Sequence, residues 1–200
     1  MGWTQFDSSG SLKEIVTEAP STLVTALPGS PTDGQEINYQ SAGMATDGII
    51  WRFRYRSASA SAYKWEFIGG QAWSAEVATS QTRAATAYGD LATVGPTITA
   101  PLAGDFMLEF GASVASDTTS NGALVSPSVS GGSASSPVDA DSASINVTVG
   151  AGAIYNASLS RKIRKNALTA ADITLRYRCS TANTSTFASR WLAVTPIRVG

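Results

Sequence analysis

The sequence predicts an all-β protein, in which a small N-terminal antiparallel hairpin module precedes a larger two-sheet antiparallel sandwich. Between residues 47 and 70, apolar and charged side chains alternate with the period of two that strands require. After residue 90, short alternating runs recur between breaks of Gly, Pro, Ser and Asp, which is typical of a sandwich. Only 14% of the residues are charged, and Ala, Ser, Thr and Gly take their place. This composition favours flat surfaces that pack against other chains.

Residues 1–26 show no sustained period and carry scattered apolar side chains. Because Trp3 and Phe6 are costly to leave in water, we interpret this segment as an anchoring arm that orders against a neighbour or a larger assembly, with these two residues as its anchoring contacts. An unstructured terminus is the alternative.

Residues 27–70 are predicted to form the small antiparallel β module. A Pro- and Gly-rich start leads into a strand at Gln35–Tyr39, and a hairpin follows over Asp47–Gly70 with the loop Ser57–Ala62. Alternation places aromatic side chains on one face of each hairpin strand and charged ones on the other. The predicted module core consists of Trp51, Phe53, Tyr55, Tyr63, Trp65 and Phe67.

Residues 71–83 are predicted to be a connector with one possible helical turn, and residues 84–200 to be the sandwich. Asn166–Asp172 allows one short helical turn between strands. The polar loop Ser128–Ser144 is expected at a tip of the sandwich. The predicted strands are Leu91–Thr99, Phe106–Val114, Ala123–Val129, Ser142–Val149, Ile154–Arg164, Ile173–Cys179 and Phe187–Val199, with Ala84–Tyr88 as a possible first strand.

Charge is distributed unevenly although its sum is only −1. Residues 90–141 contain six acids and no base, and residues 161–200 contain eight bases and one acid. These segments of opposite sign would attract each other within a subunit or between subunits. The alternative is that they form separate solvated faces.

The residue types needed for most catalytic and metal sites are missing. Histidine is absent, Cys179 is alone, and no phosphate-binding glycine motif occurs. Asp139 and Asp141 resemble the start of a calcium loop that lacks its remaining ligands, and Asp105 and Glu109 share one strand face at a spacing too long for direct pairing. We therefore expect no catalytic, cofactor-binding or metal site.

Nucleic-acid and membrane partners are not expected. The arginine face of residues 52–56 lacks an aromatic platform for stacking bases. No apolar run has the length of a membrane span, and residues 1–20 lack a signal-peptide pattern, so we expect a soluble protein made in the cytoplasm.

The segments LPGSPTDGQEINYQ, GIIWRFRYR and YKWEFIGG, within residues 27–70, resemble a module of tailed-bacteriophage virion proteins. The stretch ATAYGDLATVGPTITAPLAGDFMLEFGA resembles the opening strands of the tumour-necrosis-factor-like jelly rolls found on phage fibres and capsid decorations. The resemblance implies a jelly-roll-like sandwich and a structural virion component, usually a homotrimer, displayed on the particle surface.

Three functions remain open at this point. The first is a non-enzymatic capsid decoration or head-fibre protein that contacts itself and the major capsid protein or other virion proteins. The second is a minor tail or receptor-binding protein that holds host-surface glycan in tip loops such as Ser128–Ser144. The third, a carbohydrate-active enzyme, is disfavoured by the scarcity of acids.

Overall fold

Two β-sheets packed face to face dominate the computed structural model, which describes residues 22–116, 121–147 and 155–200. The all-β, jelly-roll-like prediction is confirmed. One short helix, α1 (Ala42–Thr46), and the 3-10 turns Gly131–Ser133 and Asp139–Asp141 accompany the strands. The strands are β1 (Thr22–Val24), β2 (Glu36–Tyr39), β3 (Trp51–Tyr55), β4 (Trp65–Gly70), β5 (Trp73–Val77), β6 (Gln81–Arg83), β7 (Thr97–Ala100), β8 (Gly104–Ser116), β9 (Asn121–Val129), β10 (Ala143–Val147), β11 (Tyr155–Leu168), β12 (Ala171–Cys179) and β13 (Ser185–Val199).

The strands divide between a larger sheet and a smaller one. The larger sheet has the order β1-β2-β3-β4-β13-β8-β11, and β5 and β6 also pair with β13. The smaller sheet has the order β10-β9-β12-β7. From β7 onward the chain passes repeatedly between the sheets, as in a jelly roll. All pairings are antiparallel except that of β1 with β2.

The core lies between the inner faces of the two sheets. On β8, alternate side chains from Phe106 to Val114 are at most 3% exposed. Ile173, Leu175 and Tyr177 of β12 face them from the smaller sheet and are fully buried. The predicted alternation of β8 and β12 therefore produces the apolar interior.

The N-terminal strands extend the larger sheet of the sandwich. Glu66 and Trp65 of β4 pair with Arg198 and Val199 of β13. The rings of Trp51 and Phe106 lie 6.3 Å apart between centroids, so the aromatic side of the hairpin packs onto β8. Residues 22–70 and the sandwich thus share one sheet and one core.

Several local predictions are wrong. Residues 71–83 form β5 and β6 instead of containing a helical turn, because β13 offers them a pairing edge. Ala84–Tyr88 is not a strand, and β7 begins only at Thr97. Asn166–Asp172 contains no helical turn, since β11 continues to Leu168 through an irregularity in which Ala167 has φ +53°.

The polar loop after β9 folds back along its own strand instead of projecting from a tip. Ser126 exchanges hydrogen bonds with Val138, as Ser126 Oγ donates to the Val138 carbonyl at 3.0 Å and accepts from its N–H at 3.2 Å. Arg178 of β12 pairs with Asp139. This return covers the outer side of β9, where residues 121–127 are all buried.

Candidate functional site

The outward face of the larger sheet carries a groove of about 440 Å³ at the end where β8, β11 and β13 meet. The strand register places the residues that line this groove in rows across the sheet. One row joins Asn156, Ala115 and Thr186, and the next joins Ser158, Ser113 and Ala188. Ser80, after β5, completes one wall. We call this feature the outer-face groove.

The polar side chains of the outer-face groove are available for hydrogen bonds to a ligand, as far as the described residues show. Within the described residues, none of them has a hydrogen-bond partner in the protein. Ser80, Ser113, Asn156 and Ser158 are exposed, while Thr186 is half-buried. The lining contains no charged side chain.

Trp191 lies in the next row, which joins Ser160, Gly111 and Trp191. A Cβ on Gly111 would lie 2.8 Å from Trp191 Nε1, so the indole lies directly over this glycine. Trp191 is partly exposed and also borders a smaller concavity with Glu109, Ser160 and Lys162. An accessible indole therefore adjoins the groove.

The acids of residues 90–141 and the bases of residues 161–200 pair with each other inside the chain. Arg164 Nη2 lies 2.7 Å from Asp105 Oδ2, and Arg198 Nε lies 3.6 Å from the same atom. Attraction within one subunit, one of the arrangements that the sequence left open, therefore occurs in the described chain. The other pairs are Lys162 with Glu109, Lys165 with Asp141, Arg176 with Asp90, and Arg178 with Asp139.

The carboxylates that the sequence offered for a metal or glycosidase site are engaged in these ion pairs. The guanidinium of Arg178, which hydrogen-bonds Asp139, lowers the pKa of that carboxyl below its ordinary value. Asp141 lies 2.6 Å from Lys165 Nζ, so the two aspartates of the calcium-like motif bind different cations. No group of three potential metal ligands occurs in the described ranges.

Arg190 is a fully buried cation bound by neutral groups. Its guanidinium donates to the carbonyls of Thr93 at 3.1 Å and Thr79 at 3.3 Å, and lies 5.4 Å from the centroid of the Tyr177 ring. Burial raises the pKa of Tyr177 to about 12. Arg190 thereby fixes the segments before β6 and β7, one of which ends at Ser80 of the groove wall.

A second exposed feature lies on the outer face of the N-terminal strands. Leu23, Ile50 and Ile68 are 54%, 39% and 38% exposed. Register and alternation place all three on the face that carries Arg52. We call these three residues the N-terminal apolar patch. Leu23 belongs to β1, which follows residues 1–21 in the chain.

The arginine face of the hairpin is largely neutralised. Arg52 and Arg54 both pair with Glu36, and Arg56 Nε lies 3.9 Å from a carboxylate oxygen of Glu66. The Arg54 and Arg52 guanidinium groups lower the pKa of Glu36.

Among the predicted module-core aromatics, Trp51, Phe53 and Trp65 belong to the shared core and Tyr55 and Phe67 pack against it, whereas Tyr63 is not part of this cluster. The ring centroids of Phe53 and Phe67 are 6.1 Å apart, and those of Tyr55 and Trp65 are 5.3 Å apart. Trp51, Phe53 and Trp65 are buried, whereas Tyr55, Tyr63 and Phe67 are half-buried. Trp3 and Phe6 lie outside the described residues.

Sequence reasoning missed the outer-face groove and Trp191. Ser113, Ser158 and Trp191 lie in predicted strands, and nothing in the local sequence sets them apart from other strand residues. The available signal was the run of outward Ser, Asn and Thr on three strands, but which strands are neighbours depends on the topology.

Comparison with known proteins gives no family. No family model and no curated protein matches the chain. A solved structure of infectious bursal disease virus, Gx strain, is similar with a TM-score of 0.38 and 14% sequence identity; the match covers 73% of this chain and 38% of that one. So weak a similarity transfers no function, and the functional argument rests on the residues themselves. In the described ranges, no helix has the length and hydrophobicity needed to cross a membrane.

Proposed function

We propose that the chain is a non-enzymatic structural protein of a bacteriophage virion, made in the bacterial cytoplasm and displayed as a homotrimeric capsid decoration or head fibre. In this proposal residues 1–26 anchor the protein through Trp3 and Phe6, residues 27–70 form the joining module, and residues 84–200 form the outward sandwich. Its partners are copies of itself and the major capsid protein or another virion protein.

The observation that carries this proposal is the N-terminal apolar patch. Exposed apolar side chains on one face of a sheet are candidates for protein contact. Leu23 belongs to β1, which is part of the proposed arm, and Ile50 and Ile68 are exposed on the same face of the sheet. A particle surface that received the arm would also cover these three side chains.

The internal pairing of charges supports a structural role. Acids and bases of the sandwich neutralise each other across neighbouring strands and loops, including Asp105 with Arg164 and Asp90 with Arg176. Carboxylates engaged in this way stabilise a fixed conformation and are poorly available as general acids or bases.

The test uses particles from a phage that carries a nonsense codon in this coding sequence. We expect the full chain to have three times its 20.7 kDa subunit mass in solution and to cosediment with these particles. The triple variant Leu23→Ser, Ile50→Ser, Ile68→Ser should bind at least tenfold more weakly. Val94→Ser, at an equally exposed apolar residue elsewhere (53%), is the matched control.

Two results would count against the proposal. A monomeric mass at micromolar concentration would remove the trimer. Undiminished cosedimentation of the triple variant would remove the patch as the attachment surface.

The second candidate, a minor tail protein that binds host-surface carbohydrate, is favoured by one observation, the unpartnered polar lining of the outer-face groove. Adsorption of the purified protein to host cells, with no binding to particle heads, would favour this candidate over the first.

A further inference from the structure

We propose that the outer-face groove, together with Trp191, binds a short neutral oligosaccharide. The site is on the strands of the larger sheet and differs from the loop Ser128–Ser144, which is folded against β9. The inference goes beyond the proposed structural function, because it holds for a head protein and for a tail protein alike.

The hydrogen-bonding groups of the groove match those of a sugar. A saccharide presents many hydroxyls that both donate and accept, so its best partners are side chains that also do both. The hydroxyls of Ser113 and Ser158 and the amide of Asn156 have this property and have no partner within the described chain. They lie in adjacent rows of the sheet, so several sugar hydroxyls can be bound at once.

Trp191 supplies the apolar surface that the groove itself lacks. One face of a pyranose ring is lined by C–H groups, which pack well on an indole. Gly111 leaves room for the indole above it. Any side chain at this position would collide with Trp191 Nε1 and, at 2.2 Å, with the Leu159 carbonyl. The polar lining begins one row away at Ser113, so a chain of two or more sugars would contact both features.

The charges nearby select a neutral ligand. No ionised side chain lines the groove, and the closest pair, Lys162 with Glu109, neutralises itself. Arg161 donates to the carbonyls of Ser142 at 2.7 Å and Ala140 at 2.6 Å, so its guanidinium is already bound. The groove lining itself offers no cation to a polyanion such as nucleic acid or a teichoic acid. The groove volume of about 440 Å³ lies within the range of about 300–1,000 Å³ that small-ligand sites occupy.

The experiment presents the full-length protein to an immobilised panel of neutral di- to tetrasaccharides of glucose, galactose, mannose, rhamnose and N-acetylglucosamine, with heparin and DNA as anionic probes. Calorimetry then measures affinity for the best neutral ligand. Ser113→Arg fills the groove from an exposed strand position, and Ser144→Arg is the matched control on an exposed strand position of the other sheet. Trp191→Phe and Trp191→Ala report on stacking. Each variant is checked for unchanged circular dichroism and oligomeric mass.

We expect at least one neutral glycan to bind and its affinity to fall at least tenfold in Ser113→Arg and Trp191→Ala. Trp191→Phe should retain part of the affinity, and Ser144→Arg all of it. Absence of neutral-glycan binding, equal binding by Ser113→Arg, or preference for heparin or DNA would overturn the inference.

A lower oligomeric mass in Ser113→Arg, with Ser144→Arg unchanged, would also overturn it, because the groove would then be a contact between copies of the chain. Loss of glycan binding in a variant that still cosediments with particles separates this site from the attachment surface. The two proposals can therefore fail independently.

Discussion

Replacing Trp51 with alanine tests whether the N-terminal strands and the sandwich unfold as one unit. The indole is fully buried, donates from Nε1 to the Gln71 carbonyl at 2.9 Å, and lies 6.3 Å from the Phe106 ring. Removing a buried Trp side chain costs about 3–5 kcal/mol. Contact between aromatic rings adds about 0.5–1.5 kcal/mol to area burial, so we expect a loss of about 4 kcal/mol in the free energy of unfolding.

The assay is urea unfolding followed by circular dichroism and by fluorescence, at one fixed protein concentration because an oligomer's stability depends on concentration. Trp51→Ala should lower the midpoint of a single transition that both signals report. Ile50→Ala, on the outward side next to β3, should change stability by no more than about 0.5 kcal/mol. Two separate transitions, or an unchanged midpoint for the sandwich, would refute the reasoning that one core joins both parts.

Three further outcomes are expected. The pKa of Tyr177, raised to about 12 from 10.0 by burial, means that the unfolded chain loses this proton first as pH rises; stability should therefore fall by about 2 kcal/mol between pH 10 and 12, and urea titrations of Tyr177→Phe should show a smaller fall. Asp105→Asn should destabilise the protein by about 1 kcal/mol at neutral pH, measured by chemical denaturation, because it removes the carboxylate from the guanidinium of Arg164, which is 44% exposed and stays partly solvated; an unchanged midpoint would contradict the assigned pairing. Gly111→Ala should lower the melting temperature and loosen β11 in hydrogen exchange, because its Cβ would lie 2.2 Å from the Leu159 carbonyl; full protection of β11 would show that the strands shift without cost.

Strand positions were predictable where one face of a strand is buried and the other is not. The alternation of residues 106–114 locates the middle of β8 because inward side chains such as Phe106 and Leu108 must be apolar. Strand prediction failed where a segment becomes a strand because a neighbouring strand pairs with it, and not because of its own alternation of apolar and polar residues. β5 and β6 exist because β13 is long enough to pair with both, which the local sequence WSAEV does not reveal.

The candidate sites depend still more on tertiary placement. The outer-face groove combines residues of β8, β11 and β13, which lie between Ser113 and Ala188 in the chain but are neighbours in the sheet. Charge pairing was visible as two segments of opposite sign, yet the choice of Asp105 for both Arg164 and Arg198 follows from strand register. Arg190 gave no signal, because nothing local distinguishes a buried arginine from an exposed one.

The continuity of the larger sheet from β1 to β11 has a mechanical consequence. The backbone ladder runs without a break from Thr22, beside the arm, through β4 and β13 to β11. Tension applied at that end would pass through the strand interfaces one after another, including that of β4 with β13, where the register joins Glu66 to Arg198 and Trp65 to Val199. The groove would then keep a fixed orientation relative to the N-terminal strands, because one sheet contains both.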